Sequence, residues 1–146
     1  MSIEDDVALL ERVPTLRLLG NAALRMLAIG SEQRDIARGE FLFNAGDEAD
    51  AGYIVQRGSF RVEDRGAEII AGPGALIGEL ALIVAMRRPC SAVAVEQSTV
   101  VRLARSLFQR VLESDPAAAR RLRDELATRT SQLASDILIA GAKLGT

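Results

Sequence analysis

The spacing of hydrophobic positions changes character twice along the chain. From Ser2 to about Ser31, Val7, Leu9, Leu10 and Val13, then Leu18, Leu19, Leu24, Met26 and Leu27, recur at helical intervals. Ser2 followed by Asp5 reads as a variant capping box, and Pro14 divides the segment into two short helices. From about Arg38 to Ala104, short apolar runs are separated by RG, AGD, RG, DRG and GPG. Phe41 and Phe43 alternate onto one face, as do Phe60 and Val62 with Arg61 between them. Turn residues at such close intervals predict antiparallel strands near 40–44, 52–56, 59–63, 67–71, 90–96 and 99–104, arranged as a barrel or sandwich. From Ser106 the helical pattern returns. Ser114 or Asp115 caps a helix that starts at Pro116, where proline is tolerated. Leu122, Leu126, Leu133, Ile137, Ala140 and Leu144 then form a stripe that either packs on the barrel or pairs with a second copy. The layout is a single domain, with helices over 1–37, a β-region over 38–104 and helices over 105–146.

Composition narrows what such a domain can do. The 146 residues suffice for one real core, and 49% hydrophobic with 26% charged residues is ordinary globular usage. A net charge of −2 argues against an autonomous nucleic-acid binder, so no DNA binding is expected of this chain. The most apolar run, IIAGPGALIGELALIVAM, is cut by glycine, proline and Glu79, so no membrane span is expected. The acidic start MSIEDDVALL lacks signal-peptide layout, and a lone Cys90 leans toward a reducing compartment. These readings point to a soluble cytoplasmic protein. There is no histidine, which removes histidine-based triads, metal sites and pH switches; one cysteine removes four-cysteine metal sites within a subunit.

The chemistry concentrates in GELALIVAMRRPCSAVAV, residues 78 to 95, where Glu79, Arg87 and Arg88 interrupt an apolar stretch. Burying such charges is costly unless something pairs with them. Gly72, Gly74 and Gly78 let the backbone approach a ligand closely. A single helical turn from Glu79 would present the N–H groups of Leu80 and Ala81, and Arg88 would return over the same small cavity. Amides and a guanidinium suit a phosphate; a carboxylate beside them suits a hydroxyl. A sugar phosphate or nucleotide carries both.

These residues resemble the phosphate-binding cassette of cyclic nucleotide-binding domains, as found in kinase regulatory subunits and cyclic-nucleotide-gated channels. The pattern is Gly-Glu-x-Ala-Leu, a short spacer, then Arg-x-Ala-Ser/Thr-Val. Gly78, Glu79, Ala81 and Leu82 match its first half, and Arg88 and Ser91 match its second. FLFNAGDEADAGYIVQRGSFRV and STVVRLARSLFQRVLESDP resemble the flanking family segments, so the likeness covers roughly residues 8 to 135. The resemblance implies a mainly β fold with flanking α: an antiparallel β-roll, or jelly roll, with N-terminal helices and a C-terminal helical lid. It implies a ligand site of Gly78, Glu79, Leu80, Ala81, Arg88, Cys90 and Ser91, with no metal and no catalytic residues. Glu79 would accept from the ribose 2′-hydroxyl, and Arg88 would pair with the cyclic phosphate. Thr130, Ser131, Leu133 and Ile137 are candidates for covering the base.

Two positions depart from the pattern. Pro89 stands where a residue with an N–H normally holds the phosphate, and Cys90 stands in place of alanine. Losing one hydrogen bond to a charged group costs about 1.5–3 kcal/mol, roughly ten- to hundred-fold in affinity. A hydroxyl at position 89 resembles cyclic GMP preference, so its absence favours cyclic AMP. The expected role is a stand-alone regulatory module that takes cyclic AMP as a regulatory ligand, with no other cofactor. It would signal through its C-terminal helix to an unknown effector protein or through a homodimer. A ligand-silent interaction module, with Glu79 and Arg88 paired to each other, is the alternative. An oxidoreductase using GPGALIG is a remote one, because that motif needs a βαβ context.

Overall fold

The computed structural model describes residues 2–64, 66–125 and 127–128. Three helices open the chain: α1 (Ile3–Glu11), α2 (Pro14–Arg17) and α3 (Asn21–Gly30). Ser2 caps α1 as expected, its Oγ accepting from the Asp5 N–H at 3.2 Å, and Glu4, Asp5 and Asp6 favour the positive end of the helix. Proline opens α2 as its first residue. The sequence predicts two helices here; the third arises because Gly20, at φ +88°, breaks the backbone between Arg17 and Asn21.

Ten strands follow: β1 (Glu32–Ile36), β2 (Phe41–Phe43), β3 (Glu48–Ala49), β4 (Ala51–Arg57), β5 (Phe60–Asp64), β6 (Ala67–Ala71), β7 (Leu76–Ile77), β8 (Met86–Arg87), β9 (Ala92–Ala94) and β10 (Ser98–Ala104). A 3-10 turn at Glu79–Leu82 separates β7 from β8. The strands form sheets in the orders β1-β10-β4-β7 and β2-β9-β5-β6, with β3 and β8 pairing separately, and every pairing is antiparallel. This is the mainly β roll with flanking helices that the sequence predicts.

The roll holds one core and shares another with the helices. Phe43, Tyr53, Val55, Phe60, Ile77, Ala92, Ala94 and Val100 fill its interior. On the other side of the first sheet, Ile54, Val101 and Leu103 pack with Leu10, Leu24 and Leu27 and with Phe108 and Val111 of α4 (Arg105–Ser114). Covered on both faces, β4 reads as a continuous apolar run from Ala51 to Val55, without the alternation of a one-sided strand. A further helical stretch runs over 116–125. Of the two candidate caps, Asp115 does the capping, its Oδ1 accepting from the Ala118 N–H at 3.2 Å, while Ser114 Oγ donates to the Arg110 carbonyl at 2.9 Å. Leu122 lies in the helical core. The rest of the stripe, from Leu126 and from Leu133 to Leu144, lies outside the described residues, as do Thr130, Ser131 and the other candidate lid residues.

Several expectations need correction. The β-region begins at Glu32 rather than Arg38, because β1 is the polar string EQRDI, mostly exposed and held by its ladder to β10. Phe41 and Phe43 do not share a face: the register shifts between them against β9, leaving Phe41 exposed and Phe43 buried. The strand expected over 90–96 is shortened to Ala92–Ala94.

Candidate functional site

The charged stretch folds as one turn followed by a return. Gly78 adopts φ +78°, in the left-handed region, and any side chain on it would run into the Arg88 guanidinium. The 3-10 turn closes with the Ala81 N–H donating to the Gly78 carbonyl at 3.1 Å. The sequence expects this amide to face outward; it is consumed inside the turn instead. Ala81 and Leu82 are buried and Leu80 is exposed. Glu79, half-buried, accepts from Thr15 Oγ1 at 2.9 Å, which ties α2 to the turn.

Arg88 is held by its backbone on both sides. Its N–H donates to the Asp47 carbonyl at 2.7 Å, and its own carbonyl accepts from the Gly46 N–H at 2.8 Å. The loop between β2 and β3 thus fixes where the side chain starts. Arg88 is only 5% exposed. Nη2 donates to the Ala51 carbonyl at 2.7 Å, and the guanidinium carbon sits 4.1 Å above the Phe43 ring and 5.6 Å from that of Tyr53. Nε is buried with no hydrogen-bond partner among the described residues. Burial pulls the guanidinium below the usual arginine range, and Tyr53, Asp50 and Asp47 act against that pull. A buried donor left unsatisfied costs about 1–3 kcal/mol, more on a charged group.

A cleft of about 220 Å³ joins these parts. Gly78, Glu79, Leu80, Ala81, Arg88, Pro89 and Cys90 line it, with Phe43, Val62, Ile77 and Met86 supplying apolar walls. Glu79 and Arg88 therefore line one space, and their described bonds run to Thr15 and Ala51 rather than to each other. Ser91 is turned to other use: its Oγ accepts from the Ala45 N–H at 2.8 Å, pinning the loop below Arg88. Arg87 reaches the Gly46 carbonyl at 3.0 Å and is exposed. An adjoining space of about 360 Å³ shares Val62, Ile77, Gly78 and Cys90 with the cleft and is floored by Ile69 and Ile70. A larger groove of about 610 Å³ lies away from both charges, between α4 and the helical stretch after it.

Two contributors escape sequence reasoning. Thr15 comes from a helix more than sixty residues before Glu79, and nothing local marks it. Arg105, at the start of α4, donates through Nη1 to the carbonyls of Ala49 (2.8 Å), Val84 (3.1 Å) and Ala81 (3.2 Å). Its own N–H donates to the Asp50 carbonyl at 2.8 Å. An arginine in LARSLF reads as a surface helix residue, so only the fold reveals it as a bolt. Among the described residues no helix is long and apolar enough to cross a membrane, and no group of side chains is fit to hold a metal ion.

Comparison with known proteins adds the following. The sequence model of the "Cyclic nucleotide-binding domain" matches residues 33–115. An uncharacterized NTE family protein of Mycobacterium tuberculosis is 33% identical over 135 residues, covering 84% of this chain and 23% of that protein. A cAMP-dependent protein kinase regulatory subunit of Eremothecium gossypii is 36% identical over 104 residues, covering 69% of this chain and 22% of that one. The chain thus spans under a quarter of the length of either relative. Among solved structures, the N-terminal domain of a transcriptional regulator from Streptomyces coelicolor A3(2) superposes with a TM-score of 0.79 at 27% identity, covering 88% of this chain and 94% of that one.

Proposed function

The chain belongs to the cyclic nucleotide-binding domain family, and from that premise we propose that it binds cyclic AMP in the cleft between Glu79 and Arg88 as a regulatory signal. One observation carries the reading. Arg88 is buried, lines a cleft that Glu79 also lines, and has a buried Nε with no hydrogen-bond partner among the described residues. A cyclic phosphate would complete the guanidinium, and the ribose 2′-hydroxyl would donate to Glu79. Gly78, Leu80, Ala81 and Cys90 would form the walls, and Ser91 would act through the Ala45 loop. The name of the kinase regulatory subunit that the chain resembles supports cyclic AMP, as does the missing hydroxyl at position 89.

The signal would leave through Arg105. It bolts the first turn of α4 to the carbonyls of Ala81 in the ligand turn, Val84 just after it and Ala49 of β3, so a turn drawn toward a ligand pulls on α4. The helices after β10 would then present a changed surface to an effector protein or to a second copy, in a cytoplasmic setting that suits the single cysteine. The chain acts here as a binding module and not as an enzyme.

A ligand-silent interaction module is the second reading. Pro89 has no N–H and the Ala81 N–H is already bonded, so two donors that a phosphate would use are gone. A melting series with cyclic AMP, cyclic GMP, AMP and NAD separates the readings. Ligand at a hundred times its Kd stabilises by about 2.7 kcal/mol. The proposed function requires the largest shift for cyclic AMP. No shift with any nucleotide favours the silent module, and a shift with NAD alone would revive the oxidoreductase.

A further inference from the structure

We propose that Phe43 is a positioning residue for the ligand: its ring face holds the Arg88 guanidinium at the cleft and thereby sets the affinity for the phosphate. The proposal rests on the reading that the cleft takes a cyclic nucleotide. Arg88 is held differently from two other arginines whose side chains are fixed by the fold. Arg105 gives Nη1 to three carbonyls, and Arg102 pairs with Glu32 at 3.3 Å and Asp50 at 3.1 Å. Arg102 is thus paired with carboxylates, and Arg105 has Nη1 spent on carbonyls. Arg88 has one described side-chain hydrogen bond, to Ala51, and is otherwise covered by rings: Phe43 at 4.1 Å, with Tyr53 behind it at 5.6 Å.

That difference suits an anion receptor. A guanidinium carries its positive charge over a flat face and its N–H donors around the edge. Stacking on an aromatic face stabilises the charge without using an edge donor and without cancelling the charge. A carboxylate in the same place would do both. Two carboxylates do lie near enough to act on Arg88, Asp47 and Asp50, and both are bonded elsewhere: Asp47 Oδ2 accepts from the Asn44 N–H at 2.9 Å, and Asp50 Oδ2 pairs with Arg102 at 3.1 Å. Phe43 is itself fixed, opposite Ala92 in the β2–β9 ladder and tilted 36° to Tyr53 with ring centres 6.2 Å apart. The aromatic pair thus holds the charge in place without spending Nε, which has no hydrogen-bond partner among the described residues.

The test is calorimetric titration of the full chain with cyclic AMP. Phe43→Leu keeps an apolar filler and removes the π face; Phe43→Tyr keeps the face. Phenylalanines bearing one, two and three ring fluorines at position 43 keep the shape and weaken the face in steps. Leucine is expected to weaken binding about tenfold, tyrosine to restore it, and affinity to fall in order of fluorine content. A structural filler would not follow ring electronics. If wild type binds cyclic AMP and the leucine and fluorinated forms bind it equally well, this proposal alone is overturned. A wild-type chain that takes no cyclic AMP overturns the functional reading, and this proposal with it.

Discussion

At the scale of single residues, the cleft is built from positions that local rules alone would disfavour. Gly78 combines a left-handed backbone with a Cβ direction blocked by the Arg88 guanidinium. Gly78→Ala should therefore lose about 1–2 kcal/mol from the left-handed backbone and displace the guanidinium as well. A thermal melt and a cyclic AMP titration of that variant should both deteriorate. A variant that melts lower yet binds normally would show that Arg88 need not sit where it does. Pro89 works in the opposite sense. Pro89→Ala returns an N–H to the rim of the cleft and frees the unfolded chain, so it should cost about 0.4–1 kcal/mol of stability while tightening cyclic AMP binding roughly tenfold. Stability down with affinity up is a combination few substitutions give. Isothermal titration beside a melt reads both, and unchanged affinity would mean that the phosphate does not approach residue 89.

Elements show which parts of the fold were legible and which were not. Strands with local turn chemistry stood out: QRGSF announces the reversal between β4 and β5, and the apolar run of β4 fits a strand buried on both faces. β1 carried no such mark, since EQRDI owes its conformation to β10, which lies more than sixty residues later. The two-residue strands β3, β7 and β8 are too short for any period to register. In the site, Gly78, Glu79 and Arg88 were readable from one stretch, whereas Thr15, Phe43 and Arg105 reach it from other elements. Whether the Ala81 N–H faced out or closed the turn depended on the turn being 3-10, which composition does not specify. Arg105 makes the element-scale prediction. Hydrogen exchange in α4 should change when cyclic AMP is added to wild type, and Arg105→Gln should abolish most of that change while cyclic AMP still binds. An unaltered α4 response in the variant would remove Arg105 from the route.

On the scale of the whole molecule, the ligand turn belongs to both cores. Ile77, just before it, lies in the core of the roll, and Leu82, at its end, lies in the core shared with the helices. Thr15 anchors it from the N-terminal helices and Arg105 from α4. Under the proposed function, a ligand that tightens a turn so placed would act on the roll and on both helical flanks at once. The binding site would then also be the junction between the two cores. That account stands or falls on Arg88. The most direct measurement is calorimetric titration of wild type, Arg88→Lys and Arg88→Ala with cyclic AMP. The account predicts saturable binding by wild type, a loss of at least tenfold when lysine keeps the charge but not the fork, and no measurable binding with alanine. Equal binding by all three, or by none, would contradict it.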